Sequence, residues 1–211
     1  MLAANLSHRG AMLRRLLLAL TLAFAFAAPA HAAVQVGAVL VDRDNLIRPD
    51  LLTHALEAWR AHPEARRDTL AIVDFAKPSP QPRFYIVDLT SGAVEAYRTA
   101  HGKGSDTGVG NVAAKFSNQP NSEASSLGAY LAGDRYLGKH GVSLALDGLD
   151  ATNSNARARA VVLHSAAYMT DDFVAAHARP GRSWGCFVVD PHAVNHVVDR
   201  LQRGALIYAG R

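Results

Sequence analysis

The chain has 211 residues, 49% of them hydrophobic and 19% charged, with one cysteine and a formal net charge of +4. Removing Arg9, Arg14 and Arg15 with an N-terminal leader brings that charge to +1, which gives no electrostatic footprint for nucleic acid. A single cysteine also excludes an internal disulfide.

The leader is predicted over residues 1–32. Arg14-Arg15 make a positive start, Leu16 to Ala28 an apolar run short for a membrane span, and Ala30-His31-Ala32 a small-x-small cleavage site. About 180 residues remain after cleavage, enough for one domain with its own core and no membrane anchor.

Leu46 to His62 is predicted as a helix: Pro49 suits its first turn, and Leu52, Ala55, Leu56 and Trp59 form one apolar stripe. Thr69 to Phe75 is a short apolar strand. Arg83 to Thr90 and Ala93 to Thr99 flank Ser91-Gly92 as a β-hairpin. Ala100 to Ser125 is a long Gly-, Ser- and Asn-rich loop, either mobile or lining a substrate. Its glycines, in His101-Gly102-Lys103-Gly104 and Gly108-Val109-Gly110, fit neither nucleotide-binding fingerprint.

Ser125-Ser126-Leu127-Gly128 leads into a strand through Leu131; a turn is expected over Tyr136–His140, a further strand over Ser143–Leu149, and a helical turn or two over Asn153–Arg159. Ala160 to His164 is a buried strand. Alternation puts Ala160, Val162 and His164 on one face, and Arg159, Val161 and Leu163 on the other. Phe187–Val189 is a strand, Pro191–Leu201 a helix capped by Asp190, and Ala205–Tyr208 a closing strand. The sum is a single, mainly β (α+β) domain with short peripheral helices.

Chemistry concentrates in Val161-Val162-Leu163-His164-Ser165 and Gly181-Arg182-Ser183-Trp184-Gly185-Cys186. A thiol attacks a carbonyl as thiolate and needs a base to take its proton. His164, at the end of a buried strand, is the candidate base, held in one tautomer by a backbone carbonyl such as that of Ser165. The N–H groups of Gly185 and Cys186 are candidates for an oxyanion hole. His192 and His196, four residues apart on the last helix, have zinc-holding spacing, but no HExxH sequence or third ligand accompanies them. No metal site is expected.

The order His164-Ser165, then Ser183-Trp184-Gly185-Cys186, resembles the YkuD-type L,D-transpeptidase catalytic domain. The similarity is to the murein branch, in which Trp stands where the commoner motif has a second histidine. Phe116-Ser117-Asn118, Ser125-Ser126-Leu127-Gly128 and Gly138-Lys139-His140-Gly141 resemble further stretches of that branch. The resemblance covers about residues 84–208 and implies an L,D-transpeptidase-like β-sandwich.

It also implies a periplasmic enzyme acting on peptidoglycan stem peptides as donor and acceptor. Cys186 is then the nucleophile, His164 the base and acid, Ser165 its orienting carbonyl, and Gly185 with Cys186 the oxyanion hole; no cofactor is needed. The commoner motif has Arg or Asn where this chain has Val188. Candidates to bind substrate instead are Arg182, Arg159, Asn118 and His140, beside Ser183 and Trp184. A cysteine peptidase or sortase-like ligase, and a wall-binding domain with a vestigial site, are the alternatives.

Overall fold

The computed structural model describes residues 34–211; the expected signal peptide, 1–32, lies outside the described residues. The described residues open with a small antiparallel ribbon, β1 (Val34–Val36) and β2 (Val39–Val41), that the sequence did not announce. Helix α1 (Pro49–Ala61) follows, with Pro49 in its first turn. Its stripe of Leu52, Ala55, Leu56 and Trp59, joined by Leu51, is buried, each large side chain contributing about 1.5–3 kcal/mol by leaving water.

The remaining elements are β3 (Thr69–Asp74), β4 (Phe84–Asp88), β5 (Val94–Tyr97), β6 (Gly128–Gly138), β7 (Gly141–Gly148), β8 (Val162–Ser165), α2 (Asp171–His177), β9 (Phe187–Val189), α3 (Val194–Leu201) and β10 (Leu206–Gly210). Eight strands form one sheet in the order β5-β4-β3-β10-β6-β7-β8-β9, parallel only at β3–β10 and β8–β9. Alternation divides its side chains between two cores. Leu70 and Ile72 of β3 pack under α1, while Ala71 and Val73 join a larger core with Leu144, Leu163, Phe187 and the inner face of α3.

That larger core draws on both ends of the sheet, so the sheet curls over itself and its two halves act as the layers of a sandwich. Phe75, just after β3, stacks on Phe187 of β9 with ring centroids 6.2 Å apart. The edges also meet: Val188 N–H donates to Thr99 Oγ1, and Ala100 N–H donates to Val188 O, both at 3.2 Å.

Several expectations shift. Strand β6 runs on through Tyr136 and Leu137, which pair with Ser143 and Val142, so the turn shrinks to Lys139-His140. Asn153–Arg159 forms successive turns in place of a helix, closed by Val161 N–H on Ala156 O at 2.9 Å. Asp190 does cap backbone, accepting from His192 N–H at 2.7 Å, but α3 starts only at Val194. The loop after β5 is pinned by buried bonds: Gly102 N–H to Ser125 Oγ at 3.0 Å, and Ser125 N–H to Ser105 Oγ at 2.9 Å.

Candidate active site

Strands β8 and β9 lie parallel, with Leu163 beside Phe187 and His164 beside Val188. Leu163 and Phe187 enter the core, so alternation turns Val162, His164 and Cys186 to the opposite face. There all three line one cavity of about 470 Å³, together with Arg159, Lys139 and Tyr168. The thiol and imidazole, called out from sequence alone, share a single open space.

His164 is 4% exposed. Its Nδ1 donates to the carbonyl of Ser165 at 2.9 Å, because a carbonyl can only accept. The proton therefore sits on Nδ1, and Nε2 keeps the lone pair a base needs. His140, on the β6–β7 turn, stacks on this ring with centroids 4.2 Å apart and planes 21° from parallel. Burial lowers the His164 pKa; the Ser165 bond opposes this, and His140 and Lys139 add to it. The resting imidazole is neutral.

Cys186 is half-buried, and its thiol leans on the carbonyl of Ala160 at 3.6 Å. Burial raises its pKa, countered by the N–H of Val162 and by the charges of Arg159 and Lys139. Burial thus holds both groups toward their uncharged forms, a thiol and an imidazole lining one cavity.

The loop before Cys186 is held by Ser183. Its N–H donates to His101 O at 3.0 Å and its carbonyl accepts from Lys103 N–H at 2.7 Å. Its hydroxyl donates to Cys186 O at 2.8 Å and accepts from Gly185 N–H at 3.2 Å. Gly185 has φ +110°, and a Cβ there would stand 2.6 Å from Ala124 O, so only glycine fits.

The other expected residues scatter. His140 and Arg182 line the cavity, and so does Trp184, 71% exposed at its rim. Arg182 is largely occupied, its Nε 2.5 Å from Asp106. Arg159 was placed on the face away from His164, yet it lines the same cavity. Ala160 has φ +52°, a left-handed residue that breaks the alternation before β8 begins. Asn118 does not line the cavity; it ties down the 150–155 turn through Ala151 O, Ser154 Oγ and Asn155 N–H, each at 3.0 Å.

His192 precedes α3 and His196 pairs with Glu95 at 2.6 Å, so the two do not share a helix face. Tyr168, whose pKa is pushed up to about 12 by burial, and Ser143, directly across from His164 on β7, also line the cavity, as does the expected Ser183. Ser143 was legible from strand pairing; nothing pointed to Tyr168.

A profile of the L,D-transpeptidase catalytic domain matches residues 43–209. The chain belongs to the L,D-transpeptidase catalytic domain family. No curated protein matches it in sequence. Among solved structures, an L,D-transpeptidase from Mycobacterium smegmatis is similar at 12% identity and TM-score 0.42, over 68% of this chain and 59% of that one. L,D-transpeptidase 1 of Mycobacterium tuberculosis gives 12% identity and TM-score 0.37, over 67% and 60%. The helical cell shape determining protein Pgp2 of Campylobacter jejuni gives 11% and 0.42, over 72% and 52%. This L,D-transpeptidase-family chain thus spans under two thirds of the length of each of these three.

Proposed function

We propose that the chain is an exported cysteine acyltransferase of the cell wall, an L,D-transpeptidase acting on peptidoglycan stem peptides. The observation that carries this is the shared cavity: Cys186 opens into it beside His164, whose free Nε2 is fixed by the Ser165 carbonyl. In the donor peptide, Cys186 Sγ attacks the carbonyl between the third residue, a diamino acid, and the D-alanine at position four. His164 Nε2 takes the thiol proton and returns it to the leaving amine. D-Alanine departs and a thioester remains. The side-chain amine of an acceptor stem peptide, deprotonated by His164, then takes the acyl group and forms a 3→3 cross-link. Water as acceptor gives carboxypeptidase activity.

Since the Gly185 N–H is bonded to Ser183 Oγ, the Cys186 N–H is assigned the oxyanion, and Gly185 contributes an unobstructed approach. Trp184, His140, Arg182 and Arg159 line the space in which the peptide binds. The enzyme works as a single domain over residues 33–211, a monomer in the periplasm after loss of residues 1–32. No helix among the described residues is long and apolar enough to cross a membrane. The test uses purified disaccharide-tetrapeptide. Release of D-alanine and a 3→3 dimer, both abolished by Cys186→Ser, is the expected result; binding without turnover would refute the proposal.

A further inference from the structure

Arg159 is unusual among the cations around the cavity. Arg182 has its charge matched by Asp106 at 2.5 Å, and Lys139 is exposed, where water screens it. Arg159 is half-buried and makes no ion pair with a carboxylate among the described residues. Its guanidinium is instead held by neutral acceptors: Nη1 on Ser117 O at 2.8 Å and Nη2 on Ala124 O at 2.5 Å, with longer contacts to Ser126 Oγ and Ser122 Oγ. Carbonyls orient a cation without cancelling it, and arginine keeps its proton under these conditions.

The charge is aimed at the nucleophile's loop. Arg159 Nη2 lies 3.1 Å from where a Cβ on Gly185 would stand, so the absent side chain lets the cation rest against the residue preceding Cys186. The left-handed Ala160 turns Arg159 to this side, and the same residue's carbonyl receives the thiol.

Resting on the transpeptidase reading above, we propose that Arg159 is a positioning residue that supplies a fixed, unneutralised positive charge to the Cys186 sulfur and thereby stabilises its thiolate as the proton leaves for His164. An imidazolium at position 164 is disfavoured by burial and by the neighbouring His140 and Lys139, so the thiolate gains little from its base at rest. The Arg159 charge acts in the opposite sense on the sulfur, ahead of that of Lys139. The other titratable groups lining the cavity with the sulfur are His164 on β8, Tyr136 near the end of β6, His140 and Lys139 on the β6–β7 turn, Tyr168 after β8, and Arg182 on the cysteine loop.

The experiment is the pH profile of Cys186 alkylation by iodoacetamide, unambiguous because the chain has one cysteine. It is run on wild type, Arg159→Gln and Arg159→Lys, with circular dichroism for folding and carbapenem adduct formation in parallel. Arg159→Gln is expected to move the midpoint upward and slow alkylation at pH 8 by about three- to ten-fold, the scale of one partly screened charge. Arg159→Lys is expected to keep a midpoint near wild type despite losing hydrogen bonds. An unmoved midpoint in Arg159→Gln, or equal upward shifts in both variants, overturns the proposal. If Arg159→Gln fails to fold, Arg159→Met takes its place: it removes the charge and is expected to raise the midpoint, and an unmoved midpoint there overturns the proposal. Wild type that alkylates as expected but gains no carbapenem adduct would refute the transpeptidase reading and leave the role of Arg159 standing.

Discussion

Ser183→Ala separates a loop keystone from a substrate contact. Ser183 is 5% exposed, and its hydroxyl joins two backbone groups, the part-buried carbonyl of Cys186 at 2.8 Å and the buried N–H of Gly185 at 3.2 Å. Each bond contributes about 1 kcal/mol net, and each group left without a partner costs about 1–3 kcal/mol. The loop stays docked through the Ser183 backbone bonds to His101 and Lys103, so water reaches the freed groups only in part. The sum is a loss of about 2–4 kcal/mol, a large share of a domain's usual stability of about 5–15 kcal/mol. In urea unfolding the midpoint falls while the slope stays constant. In turnover of tetrapeptide, kcat falls because Cys186 is no longer held, and KM stays within about two-fold. An unchanged urea midpoint with a raised KM would refute this reasoning and return Ser183 to the substrate.

Three further outcomes are expected. Gly185→Ala places a side chain at φ +110° and against Ala124 O, so it destabilises by at least ~2 kcal/mol in the same unfolding assay; a neutral effect would contradict the packing of the two loops. His101 is buried against Arg83 at 2.9 Å, and burial with that charge brings its pKa down to about 3. The unfolded chain binds the proton first, so stability is complete above the ordinary imidazole value of about 6.5 and declines on acidification by up to about 1.4 kcal/mol per pH unit. His164, also held down, adds to the same window. Urea midpoints between pH 7.5 and 5 should fall for wild type and less steeply for His101→Gln, whose amide oxygen can still accept from Arg83; equal slopes would refute the assignment. Finally, the acid limb of the acylation rate should lie below the ordinary imidazole value, since the base is kept neutral, and stopped-flow acylation showing a limb above it would contradict the burial of His164.

What the sequence disclosed follows from which interactions are local. The stripe of α1 and the Ser91-Gly92 turn are short-range patterns, and Gly92 indeed takes φ +80°. That His164 and Cys186 would line one cavity was legible because a thiol nucleophile needs a base and the chain offers one cysteine. Arg159 was misplaced because alternation was carried through Ala160, and one left-handed residue reverses the face of everything before it. Asn118 looked like a site residue by its neighbours in sequence, yet its partners lie more than thirty residues on, a distance no local pattern spans. Ser183 likewise became a keystone only once His101 and Lys103 arrived beside it. The short helix α2 is capped by Thr170 Oγ1 accepting from Phe173 N–H at 3.3 Å, with Asp171 and Asp172 in its first turn.

The central claim is that the sulfur at 186 is an acylated nucleophile served by the ring at 164. Intact-mass spectrometry of the protein, without residues 1–32, after exposure to a carbapenem tests it most directly. The expected spectrum shows one adduct that maps to Cys186, is missing in folded Cys186→Ser, and forms at least ~100-fold more slowly in His164→Ala. A folded wild type that gains no mass, or an adduct that persists in Cys186→Ser, would contradict it.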